Sequence, residues 1–182
     1  MTRTPPQPAV SRITPFAGHP LVVGVEPEPP DLLPLTAASL AAATGAPCVY
    51  FAYADPARFT VQEYPDGTVR HEPVDADSVD DSWSAVRDAL RARLTRALAP
   101  VAVPWELRYL AGRPDRALTH LARAVDAAAI VVGTRAPGAG ARIREFVEGS
   151  VAVHLAHHQH RPVITVPLSV VDWKDTASPW DR

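Results

Sequence analysis

Lysine is almost missing from this 182-residue chain: Lys174 is the only one, although lysine and arginine together number 18. With no Gly-Lys-Ser/Thr sequence, a Walker-type phosphate loop is excluded. Schiff-base and lysine general-base chemistry lose their residue as well. Phosphate charge must therefore be met by arginine, backbone N–H groups, hydroxyls or a metal. Cysteine is as scarce. Cys48 stands alone, which rules out an intramolecular disulfide and a cysteine-based zinc site. It lies in the apolar run APCVYFAYA, the setting of a buried strand residue rather than of a nucleophile. The net charge is −2, and four residues each of Trp, Tyr and Phe are scattered along the chain. Neither feature suits a nucleic-acid surface. No segment approaches membrane-spanning length, and the first twenty residues lack an apolar signal core. A cytoplasmic protein without nucleic-acid or membrane partners is expected. The preference for arginine, alanine and proline suggests a GC-rich bacterial genome.

What is present is a regular alternation. Residues 1–19 are proline-rich and aperiodic and predict a disordered arm. LVVGV (21–25), PCVYFAYA (47–54), PWELRYLAG (104–112), AAIVVG (128–133) and PVITVP (162–167) are short apolar runs of the kind that form strands buried on both faces. Between them lie helical patterns: one from about Leu33 to Thr44, closed by Gly45; one with Val86, Leu90, Leu94 and Leu98 on a single face; and one opening on Pro114 with Leu118, Leu121, Ala122 and Val125 as its stripe. A last helix follows the glycine-rich stretch GTRAPGAGARIREFVEGS (133–150). The segment 59–72 alternates on both sides of Pro65-Asp66-Gly67 and predicts a β-hairpin inserted after the second strand. Residues 20–168 form one domain in this scheme, and 169–182 a C-terminal tail carrying Trp173 and Trp180.

Strands alternating with helices predict an α/β fold with a parallel, doubly wound sheet. In the order 3-2-1-4-5, strands one and four sit side by side at the point where such sheets bind ligands. Glu26, closing strand one, would then face Gly133, closing strand four. The hairpin would emerge on that same edge, near the mouth of the crevice.

With these residues in place, the chain from Leu21 to Pro167 resembles the universal stress protein family, whose members are compact α/β domains, commonly dimeric and often ATP-binding. The resemblance rests on strand four, the glycine loop, the closing Gly149-Ser150 and the final strand PVITVP. It implies a site in which Glu26 takes the place of an acidic residue, usually Asp, and Tyr53 touches adenine. Gly133, Gly149 and Ser150 match the first and last elements of the family's phosphate motif, Gly-x2-Gly-x9-Gly-Ser/Thr. Ala136 stands where the second glycine belongs, with Gly138 and Gly140 nearby, and the interval is three residues longer. Arg135, Arg142 and Arg144 can supply charge that lysine does not. Glycines let a backbone approach phosphate closely, and a helix N-terminus attracts anions. ATP, with or without magnesium, is the implied ligand, and a homodimer through the fifth strand is the implied assembly.

Other candidates have plainer explanations. Asp75, Asp77, Asp80 and Asp81 are best placed to cap and favour a helix start. His154 and His158 are spaced i,i+4, but protonated histidines also suit a helix C-terminus, and no carboxylate lies close in sequence. Ser150 lacks the second glycine of a nucleophile elbow. A Ser-Gly-Gly loop after strand one, expected of an adenylating enzyme, is replaced by EPEPP. No base–nucleophile pair is evident, so a binding protein rather than an enzyme is expected. The alternative is a dimeric interaction module of the same family without nucleotide.

Overall fold

The computed structural model describes residues 9–75, 82–134 and 151–168. Strand β1 (Leu21–Gly24) leads to helix α1 (Leu32–Thr44), then β2 (Val49–Asp55), the hairpin strands β3 (Arg58–Glu63) and β4 (Val69–Pro73), and α2 (Ser82–Leu98). Strand β5 (Trp105–Ala111), α3 (Pro114–Ala124), β6 (Ala129–Thr134), α4 (Val151–His158) and β7 (Val163–Pro167) complete the order. The main sheet is β5-β2-β1-β6-β7 with every pair parallel. That is the expected 3-2-1-4-5 once the hairpin strands are set aside. Local signals act where the sequence places them: Gly45 ends α1 at φ 62°, and Pro114 opens α3.

Alternation along the strands divides the core in two. Leu21, Val23, Val49, Phe51, Leu107 and Val131 face α1 and α2, against Leu33, Ala37, Leu90 and Leu94. Val22, Ala52, Leu110 and Ile130 face α3 and α4, against Leu118, Leu121 and Leu155. Each fully buried aliphatic or aromatic side chain of this kind contributes about 1.5–3 kcal/mol.

Part of the stretch expected to be an unstructured arm has structure. Residues 10–12 form one 3-10 turn, Gly18 N–H donates to Thr44 O at 3.1 Å, and His19 reaches Asp126. Cys48 is half-buried and precedes β2 rather than lying inside it; burial pushes its thiol up, away from the reactive form.

The hairpin forms as expected and starts from the expected edge of the sheet, but its tip leads away from the crevice. Its base starts at the C-terminal end of β2, and the two antiparallel strands cross the outer edge of β5. His71 at the base packs on Trp83 of α2 and Tyr109 of β5. The tip rests against α3, where a Cβ on Gly67 would come 2.5 Å from Leu121 Cδ1. Glu63 and His120 join the same two elements at 2.8 Å. The hairpin therefore covers an edge strand, whose unpaired backbone invites association, and is not a flap over the β1–β6 crevice. Gly67 and Val69 pack toward α3 and its core cluster, while Phe59, Val61 and Tyr64 stay exposed. Gly67 holds φ 80° and its N–H donates to Tyr64 O, while Asp66 Oδ1 accepts from the Thr68 N–H and hydroxyl. Gly67→Ala should destabilise the protein by at least about 1–2 kcal/mol, the cost of a left-handed non-glycine residue. Urea unfolding of the two proteins measures this directly.

Candidate binding crevice

Register sets particular residues near the C-terminal ends of the strands level. Gly24 is opposite Ala52 on one side and Val132 on the other, so the next residues, Tyr53, Val25 and Gly133, form one row. Tyr109 continues that row on β5 and Val166 on β7. Buried Val25 and Val166 and half-buried Tyr53 all belong to the α1–α2 face of the sheet. Glu26 lies one residue beyond, exposed, at the end of β1. The predicted residues Glu26, Tyr53 and Gly133 are thus brought together at the C-terminal edge. Arg135, Gly138, Gly140, Gly149 and Ser150 lie outside the described residues, as do Ala136, Arg142 and Arg144.

Electrostatics in this row favour hydroxyl groups that stay protonated. Burial, with the charges of Asp55 and Glu26, pushes the Tyr53 phenol up. Tyr109 is pushed further, by burial and by donating its hydroxyl to Asp55 Oδ2 at 2.6 Å. Asp55 also accepts from the Ala57 N–H at 2.9 Å. A phenol held in this way is a hydrogen-bond donor, not a base or nucleophile at neutral pH.

Gly133 has a second task. A Cβ there would fall 2.5 Å from Leu168 Cδ1, and Leu168 N–H donates to Thr134 Oγ1 at 3.0 Å. The missing side chain lets the chain leaving β7 fold across the end of β6.

Tyr53 leads through Tyr109 to a cluster that pattern alone does not mark. The Tyr53 ring meets Tyr109 edge-on, centroids 5.3 Å apart; Tyr109 meets His71 at 5.4 Å and Trp83 at 5.6 Å. Arg58, buried despite its charge, donates from Nε to His71 Nδ1 at 2.7 Å and lies over Trp83, which Arg87 also covers at 5.0 Å. Asp55 completes the group. One signal existed: Tyr53 and Tyr109 stand at matching positions near the ends of adjacent strands. The contribution of the hairpin and of Trp83 has no local signature.

Two other places gather chemistry of a related type. The cleft of about 340 Å³ between hairpin and α3 is lined by Arg113, Arg116 and His120. Its charges are largely answered from within, since Arg113 pairs with Asp115 at 2.9 Å and His120 with Glu63. His154 and His158 stack on each other with ring centroids 6.0 Å apart, and no cluster of three metal-binding side chains occurs among the described residues. No helix among them is long and apolar enough to cross a membrane.

The family model described as "Universal stress protein family" matches residues 19–167. Among solved structures, the chain is similar to a universal stress protein in complex with cAMP, at 24% identity and a TM-score of 0.56, covering 84% of this chain and 99% of that one. It is similar to the Archaeoglobus fulgidus protein in complex with dAMP at 22% identity and 0.56, covering 81% and 96%. An Arabidopsis thaliana family protein with AMP bound is 15% identical at 0.50, covering 82% and 91%. None of the curated proteins matches the chain.

The Tyr109–Asp55 bond gives a prediction. Tyr109→Phe should lower stability by about 1.5–3 kcal/mol, as for a hydrogen bond to a charged group. In an alkaline absorbance titration of the native protein, one tyrosine should ionise well above the ordinary value of about 10. That late step should vanish in the variant.

Proposed function

Given that the chain belongs to the universal stress protein family, we propose that it binds an adenine nucleotide in the crevice at the C-terminal ends of β1, β2 and β6. It acts as a stress-response or regulatory protein, through binding rather than catalysis. The observation that carries this reading is the row Tyr53, Val25 and Gly133, with Glu26 at its rim. Tyr53 offers adenine an aromatic wall, and Glu26 accepts hydrogen bonds from ribose hydroxyls. Gly133, Gly149 and Ser150 receive the phosphates through backbone N–H groups and a hydroxyl, with Gly138 and Gly140 easing the approach and Arg135 adding charge. The cAMP, dAMP and AMP complexes of structurally similar proteins support adenine as the base. ATP is the form we put forward; magnesium would arrive with the triphosphate and keep most of its waters.

The sheet offers an edge for assembly. β7 is an edge strand with no strand on its outer side among the described residues. We place a homodimer there, in the cytoplasm of a bacterium, with the tail from 169 onward covering part of the contact. In sedimentation, a chain ending at Leu168 should dimerise more weakly than the full chain; unchanged association would remove the tail from the interface.

One observation favours a second reading, an interaction module without nucleotide. Leu168 takes up the space above Gly133, space that a phosphate's approach would otherwise use. Calorimetry with ATP and magnesium separates the two. Binding by the native protein is expected, with loss of binding in Gly149→Val and a weakening of about 1–3 kcal/mol in Ser150→Ala, the range for one hydrogen bond from neutral to charged. No heat at millimolar nucleotide would establish the second reading in its place.

A further inference from the structure

We propose that His71, from the hairpin, is a positioning residue for the adenine wall and releases that wall when it takes up a proton. The proposal rests on the nucleotide reading above for its functional consequence, and on separate geometry for the latch itself.

That geometry is a chain of contacts running from hairpin to crevice. Arg58 Nε donates to His71 Nδ1 at 2.7 Å. Guanidinium has no acceptor, so Nδ1 must carry a lone pair and the imidazole must be neutral. The ring sits edge-on to Trp83 at 4.9 Å and against Tyr109 at 5.4 Å, and Tyr109 meets Tyr53. The hydroxyl of Tyr109 is fixed by Asp55, and its ring is packed by His71, Trp83 and Tyr53. Protonation puts an N–H on Nδ1 facing another N–H, and a second positive charge beside Arg58. The bond cannot survive, and the ring loses its place between Trp83 and Tyr109.

The surroundings set the direction. β3 brings Arg58, which opposes the proton; α2 brings Trp83, with Arg87 over its ring; β5 brings the neutral Tyr109. From β2, Asp55 favours the proton, but its carboxylate already accepts from Tyr109 and Ala57. On β4 itself, Arg70 and Glu72 pair with each other. Burial and Arg58 together hold His71 below the ordinary histidine value, outweighing Asp55. The folded state therefore binds this proton less readily than the unfolded chain. The latch is fully made above the unfolded-chain value of about 6.5, and is lost as pH falls through the lower folded value.

The test uses the full chain in two steps. First, NMR of ¹³C-labelled histidine rings is followed from pH 7.5 to 5 without nucleotide, with His71→Asn assigning the signal. The midpoint of His71 is expected below about 6.5, moving upward in Arg58→Met as the repelling charge goes. A midpoint at or above 6.5 in the native protein, or no movement in Arg58→Met, overturns the latch. Second, AMP affinity is measured by calorimetry at both ends of that range. The native protein should bind at least about fivefold more weakly at the acid end, the lower limit of ordinary coupling between sites. His71→Asn, whose amide oxygen can accept from Arg58 at either pH, should show little change. Equal pH dependence in both proteins overturns the positioning role. Failure to bind AMP at any pH, with the titration as expected, overturns the nucleotide reading and the latch's service to it, while the latch stands on the titration.

Discussion

Strand β1 is held between β2 and β6, and Leu21, Val22 and Val23 have no exposed surface. Everything that can do chemistry depends on that confinement. A parallel strand covered on both faces and paired on both sides leaves only its end open to solvent. Near that end the pairing register sets Tyr53, Val25 and Gly133 level, with Glu26 one residue further along the chain. The crevice is thus a consequence of how the sheet is buried, and the same burial determines which groups around it can change charge. Tyr53 and Tyr109 are kept protonated, and His71 is kept neutral, by removal from water before any specific partner is counted.

The fold was legible in the sequence because its signals are local. Apolar runs of four to seven residues can only be central strands when helices separate them, and Gly45 and Pro114 mark helix ends through backbone conformation alone. The turn at Pro65-Asp66-Gly67 announced itself in the same way. Direction was another matter. Nothing in the alternation of β3 and β4 tells which neighbour will bury Val69 and Gly67, and the hairpin went to the edge of β5 and to α3.

Of the candidate site, the sequence made legible the meeting of Glu26, Tyr53 and Gly133 at one edge of the sheet. That meeting follows from strand order, since each residue lies near the C-terminal end of its strand. Arg58, His71, Trp83 and Asp55 are brought round Tyr109 by tertiary packing, and a single sequence carries no mark of such a meeting. Gly133 shows the same limit from the other side. Its lack of a side chain was traced to phosphate approach, yet the structure also uses it to seat Leu168. One glycine can answer two demands, and only packing reveals the second.

The insertion distinguishes this chain from a bare five-stranded domain, because it ties an edge of the sheet to the wall of the crevice through four aromatic rings. The central claim remains the location of the nucleotide. Its most direct measurement is a map of backbone amide chemical shifts on addition of AMP to the full chain. The account predicts the largest changes at Glu26, Tyr53, Asp55, Gly133 and Thr134, with smaller ones spreading through Tyr109 to His71. Changes confined to the cleft between hairpin and α3, at Gly67, Arg116 and His120, would contradict it.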